Sequence, residues 1–320
     1  MRKKTVFGLF RIFISLFLLG LLFLIMRGKM GNLIQVIQGV NVQLFFLAML
    51  FIVPIVFISG LRLQCFLTVQ GLSFKLSETI RLSLIGYFFN NFMPSTVGGD
   101  VAKVYYARKR SGDYTRPFSA VLIDRLAGLS ALIVLAGIAV IIWGNLIQNK
   151  AAKIIILLGF FLLLSALGLI YTSAAKDKFG WLFKSPLLLK IREKTLKIYK
   201  AINLYRRSKT LLIGFGLSFL SHVLFAVYAY GLAKSLDIDL PISIFFILIP
   251  VVWLISSLPS LNGLGIREGA FVYFFKEFIP PEQALALSIL YFAQMICLSC
   301  IGGLVYLLNG AEMVKEVTDD

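Results

Sequence analysis

Five charged residues in this chain sit in strongly apolar surroundings, and they are the groups with which it could do chemistry: Asp100, Asp124, Arg125, Arg267 and Glu268. Asp100 ends the stretch Asn90-Asn91-Phe92-Met93-Pro94-Ser95-Thr96-Val97-Gly98-Gly99-Asp100. Arg267 and Glu268 end a second one, Ser256-Ser257-Leu258-Pro259-Ser260-Leu261-Asn262-Gly263-Leu264-Gly265-Ile266-Arg267-Glu268. The two share a Pro-Ser-x-x-Gly core at an offset of 165 residues. The planar guanidinium fork suits phosphate oxygens. Glycines let the backbone leave helical geometry, and a helix that starts just after them offers unpaired N–H groups and partial positive charge, which also suit an anion. Arg125 and Arg267 are therefore expected to contact a phosphate. Asp100 and Glu268 would position them or hold a cationic moiety, and Asn90, Asn91 and Asn262 would add neutral hydrogen bonds. Pro94, Gly98, Gly99, Pro259, Gly263 and Gly265 shape the two turns. A competing reading makes Asp124 and Arg125 helix locks that pair with other interior charges, with Arg125 reaching toward the cytoplasmic face.

Other chemistry finds little support. His222 is the single histidine and has no acidic cluster at metal-ligand spacing, so no zinc site and no metal are expected. It lies inside an apolar run, where a helix–helix hydrogen bond competes with a proton relay. Cys297 and Cys300 share a helix face within another such run, where small side chains serve packing, and with Cys65 they imply no disulfide framework. There is no Walker loop, and Gly263-Leu264-Gly265 follows no strand of a βαβ unit, so neither ATP nor a dinucleotide cofactor is expected.

The elements that carry these residues belong in lipid. Hydrophobic residues make up 59% of the 320, with 29 Phe, and the mean hydropathy is +0.90. A soluble domain is nearer half apolar. Runs of the length needed to cross a bilayer, about 20 residues, cover Val6 to Met26, Val42 to Leu61, Phe118 to Trp143, Ile154 to Tyr171, Leu211 to Leu232 and Ala284 to Leu308. The first run has no small-residue cleavage site before Arg27 and reads as an anchor. Two further apolar segments, Ser77 to Asn91 and Ile242 to Leu258, stop at the Pro/Gly motifs, and a short helix is expected after each. They read as re-entrant hairpins, because irregular backbone at membrane depth survives only where protein or a watery cavity satisfies it. The expected architecture is an all-α polytopic membrane protein: a single transmembrane domain over residues 1–320, with about six full spans and two re-entrant hairpins.

A net charge of +17 would suggest nucleic acid in a soluble protein, but the distribution of Lys and Arg points to topology instead. With a cytoplasmic amino terminus, 23 basic residues fall inside and six outside, and both termini are cytoplasmic. Three crossings per half would turn the second half upside down relative to the first, giving inverted repeats over roughly 1–145 and 150–310 around a pseudo-two-fold axis. Broken helices meeting near the midplane are characteristic of secondary transporters built this way. The segment 174–209 carries eleven Lys/Arg against two acids. It reads either as an interfacial helix on anionic headgroups, started by Ser185-Pro186, or as a solvated loop that fixes topology.

Asn90-Asn91-Phe92-Met93-Pro94 with Gly98-Gly99-Asp100, then Asp124-Arg125-Leu126-Ala127-Gly128, then Pro259 with Gly263-Leu264-Gly265-Ile266-Arg267-Glu268-Gly269, resemble the pattern of the lysylphosphatidylglycerol synthase transmembrane-region family over nearly the whole chain. The large members of that family join a flippase portion to a soluble aminoacyl-transferase domain. Only a dozen residues follow Leu308 here, so the expectation is a stand-alone form without the transferase. The resemblance implies movement of a lipid between leaflets, with phospholipid or polyprenyl-phosphate headgroups as ligands and the prokaryotic inner or plasma membrane as location. A membrane-embedded lipid-modifying enzyme of the phosphatidylglycerol lysyltransferase type, using Asp100, Asp124 or Glu268 as acid or base, is one alternative. An accessory subunit whose basic loop recruits a cytoplasmic enzyme partner is another. The expected partners are membrane lipids.

Overall fold

In lipid only helices and closed barrels satisfy their own backbone, and all regular structure among the described residues is helical. The computed structural model describes residues 17, 20–22, 24, 27–92, 98–146, 148, 150, 153, 154, 156–162, 204, 205, 209–257 and 263–309. These contain α1 (Met30–Gln38), α2 (Val42–Leu50), α3 (Ile52–Val69), α4 (Leu76–Phe92), α5 (Gly98–Ser111), α6 (Thr115–Trp143), α7 (Thr210–Ser235), α8 (Ile242–Ser256), α9 (Ile266–Phe275) and α10 (Pro281–Asn309). Helix α2 starts where Asn41 accepts from the Leu44 N–H at 3.1 Å, an N-cap that satisfies one of the first-turn donors.

Among the described residues, four stretches are long and apolar enough to cross a membrane: Val42–Val69, Thr115–Leu146, Thr210–Ser235 and Pro281–Leu308. The shortest of them is about 39 Å long at 1.5 Å per residue, against a hydrocarbon core of about 30 Å. Their outer faces are largely apolar; Ile141, Leu212 and Leu308 are among the most exposed large hydrophobic side chains of the described residues. An exposed apolar surface of this extent belongs in lipid, and the chain is an all-α polytopic membrane protein. The other two expected spans, Val6 to Met26 and Ile154 to Tyr171, fall largely outside the described residues, although 156–162 is helical. Most of the basic segment 174–209 also lies outside them. Its described residue Tyr205 is buried, donates its hydroxyl to Phe66 O at 2.7 Å and packs edge-on against the Phe66 ring, which fixes that end of the segment to α3.

Helices α4 and α5 form an antiparallel hairpin. At its open end Arg110 on α5 makes two hydrogen bonds to Glu78 on α4, at 2.9 and 3.0 Å. At its closed end Gly99 N–H donates to Asn90 Oδ1 at 2.7 Å. Helices α8 and α9 form a second hairpin, with Phe245 and Phe275 in contact at the open end (5.6 Å between centroids). Gly263 and Gly265 close it at φ 78° and 81°, a left-handed backbone that glycine adopts at low cost.

Helix α10 is the central pillar, packed against α4 and α9. A Cβ on Gly302 would collide with the Leu84 backbone and one on Gly303 would come within 2.8 Å of the Phe88 ring, so these two residues set the close approach of α10 to α4. Cys297 and Cys300 are exposed, so helix packing on α10 falls to the glycines rather than, as expected, to the thiols.

Candidate functional site

Between the closed ends of the two hairpins and the middle of α10 lies a cleft. Asn90 and Asn91 of α4, Arg125 of α6 and Arg267 of α9 supply its polar wall, and Tyr87, Trp253, Phe271 and Tyr291 supply much of the rest. The α10 residues that line it run from Tyr291 to Ser299, the eleventh to the nineteenth of that helix's 29 residues, which places the cleft midway along a span.

Local structure explains the positions. Asn90 and Asn91 end α4, one helix turn above Tyr87, so one face delivers all three to the cleft. Asn91 donates to Met295 O at 3.3 Å and to Ser299 Oγ, which fastens the first hairpin to α10. Trp253 Nε1 donates to Tyr291 OH at 2.9 Å and fastens the second hairpin to the same helix. Tyr87 OH stands 3.4 Å from Ser59 Oγ of α3.

Each arginine of the cleft is partnered by the third residue of a hairpin's second helix. Asp100, third in α5, accepts from Arg125 Nη1, and Lys103 Nζ lies 3.9 Å from the same carboxylate. Glu268, third in α9, accepts from Arg267 Nη2 at 2.6 Å and Nε at 3.1 Å, and its second oxygen accepts from Gly265 N–H at 2.6 Å as a helix cap. Arg267 also lies 4.6 Å over the Phe292 ring. The Arg125 side chain is 34% exposed and that of Arg267 only 6%, so Arg125 is the more open cation. Three cations face two carboxylates, and the closing stretches 93–97 and 258–262 contain no charged residue. The cluster thus carries one excess positive charge.

The backbone N–H groups at the starts of α5 and α9 were expected to receive an anion. Of these, Gly99 and Gly265 are instead engaged by side chains of their own hairpins, Asn90 and Glu268. Gly98 and Gly99 are buried and are not among the residues that line the cleft. Pro94, Pro259 and Asn262 lie outside the described residues.

Asp124 is directed away from the cleft. It accepts from Arg62 Nε at 2.5 Å and Nη2 at 3.1 Å, while Arg62 Nη1 donates to Ser218 Oγ at 2.7 Å. His222 Nε2 is 3.0 Å from Gly128 O in the same region. These contacts tie α3, α6 and α7 together. The sequence reading ended its second span at Leu61 and left Arg62 in a cytoplasmic connection. Helix α3 continues to Val69, and Arg62 enters it as one half of a buried ion pair. Lys103, Trp253 and Tyr291 were also missed. The aromatic pair carried a signal, since an indole N–H or phenol within an apolar span needs a partner.

No curated protein matches the chain. The family model for the lysylphosphatidylglycerol synthase transmembrane region matches residues 8–303, so the chain belongs to that family.

Proposed function

We propose that the cleft receives the anionic headgroup of a membrane lipid, phospholipid or polyprenyl phosphate, and that the protein moves this headgroup between leaflets while the acyl chains stay in the bilayer. The observation that carries the reading is the presence of Arg125 and Arg267, with Asn90 and Asn91, in one cleft midway along a membrane span. Ionisable groups at that depth are costly unless paired or hydrated, and they mark substrate paths by default. A cluster with one excess positive charge suits a ligand with one excess negative charge. The family's name includes a phosphatidylglycerol-derived lipid, which agrees with a phosphate-bearing ligand.

The hairpins supply the gates. Helices of 17, 14, 15 and 10 residues (α4, α5, α8 and α9) are about 15 to 26 Å long, short of the roughly 30 Å hydrocarbon core. They fit segments that enter from opposite faces and turn back, as in an inverted repeat with both termini in the cytoplasm of a prokaryotic cell. Alternate opening of the hairpins would expose the cleft to one leaflet and then the other.

Purified protein in phosphatidylcholine vesicles doped with fluorescent phosphatidylglycerol should speed loss of the outer-leaflet label. Arg267→Ala should abolish that acceleration while the protein stays monodisperse. An unchanged rate in this variant removes Arg267 from the site. A chemically altered lipid in the mass spectrum would replace transport with catalysis.

A further inference from the structure

The two arginines of the cleft are neutralised in different ways, and the difference bears on how a headgroup could enter; the inference rests on the headgroup reading and deepens it. Glu268 holds Arg267 from the neighbouring position of the same helix and also caps Gly265. Asp100 holds Arg125 across two helices, α5 to α6. It also has a second cation in reach, because Lys103 Nζ, one turn further along α5, stands 3.9 Å from its carboxylate. Lys103 runs along the bare backbone of Gly86, where a Cβ would come within 2.8 Å of its Cε, so its ammonium is kept near the closed end of the hairpin.

A phosphate that enters the cleft meets Arg125, the more open cation, and takes its Nη1 by displacing Asp100. A carboxylate stranded in a low-dielectric site is strongly unfavourable. Lys103 removes that penalty by receiving it. We infer that Asp100 is a tethered stand-in for the lipid phosphate: it occupies Arg125 in the empty cleft, passes to Lys103 when a headgroup arrives, and by this exchange sets headgroup affinity and unfastens α5 from α6. Asp100 keeps a cationic partner at every stage. Because a competitor on the same chain acts at high effective concentration, removing its charge tightens binding. Tighter ground-state binding without the release step slows turnover.

The test uses the full chain in phosphatidylcholine nanodiscs, titrated with dioctanoyl phosphatidylglycerol and separately with inorganic phosphate. Asp100→Asn should bind the lipid about tenfold more tightly than wild type, the worth of one charge-assisted hydrogen bond, and should flip it more slowly in vesicles. If inorganic phosphate competes as well as the lipid, the phosphate group alone drives the exchange; if only the lipid competes, the whole headgroup does. Unchanged or weaker binding by Asp100→Asn, with binding lost in Arg125→Gln, overturns the exchange and leaves the headgroup site standing. Equal binding by wild type and both variants removes the site and the inference together. If Asp100→Asn does not fold, spin labels at Val101→Cys and Leu126→Cys, both exposed on α5 and α6, report on wild-type pairing once Cys65, Cys297 and Cys300 are serine. The distance between them should lengthen when the lipid is added, and a constant distance overturns the inference.

Discussion

At the scale of single residues, the protein keeps two kinds of buried charge. Arg62 and Asp124 are locked by bidentate geometry, with Ser218 satisfying a third arginine hydrogen. Breaking such a pair strands a charge and costs about 3–5 kcal/mol, whereas replacing both partners by apolar residues is often neutral. Asp124→Asn should therefore lower the unfolding midpoint in detergent sharply, and Arg62→Met with Asp124→Leu should recover most of the loss. A double variant as unstable as the single would show that the pair does more than balance charge. Neighbours in the chain serve separate clusters here. Asp124 and Arg125 are adjacent in the sequence, yet one points to α3 and the other to α5, so their proximity in sequence gave no warning of it. The arginines and asparagines of the cleft were legible because polar residues beside Pro/Gly breaks in an apolar run need an interior surface. Arg62 was not, because its partner lies 62 residues away and only the folded chain brings the two together.

At the scale of elements, the hairpins were legible in outline and their clasps were not. The Pro/Gly motifs announced two helix breaks, and α4, α5, α8 and α9 start and stop beside them. The clasp at the open end of the first hairpin joins residues 32 positions apart, Arg110 and Glu78. Burial raises the pKa of the Glu78 carboxyl, but the hydrogen bonds from Arg110 and from Lys75 N–H outweigh it, and the net value lies below that of an ordinary glutamate. A group with a depressed folded-state value stabilises the fold above its unfolded value, about 4.3, and loses that contribution as pH falls through the folded one. Thermal midpoints of wild type should thus drop below about pH 4, and Glu78→Gln should flatten that part of the profile. Equal slopes would show that the clasp does not hold the hairpin closed. Packing makes a second demand. Gly302 meets the Leu84 backbone directly, so Gly302→Val should force α10 off α4 at a cost of about 1–3 kcal/mol, read as a lower midpoint. A variant with unchanged stability would mean that the two helices can separate freely.

At the scale of the whole molecule, composition alone placed the chain in lipid, and the four long apolar helices agree with it. Sequence could not show where the two motifs meet, because convergence depends on α10. That helix contributes no motif of its own, yet Ser299 and Met295 receive Asn91 while Tyr291 receives Trp253. Both hairpins are thereby pinned to one pillar beside the cleft. The proposed ligand of this cleft is a lipid phosphate. Its most direct test is an experimental map of the protein in nanodiscs rich in phosphatidylglycerol. Headgroup density is expected in the cleft, with phosphate oxygens within hydrogen-bond distance of Arg125 and the acyl chains running out into the bilayer. Ordered lipid confined to the outer faces of the spans, with Arg125 still held by Asp100, would contradict it.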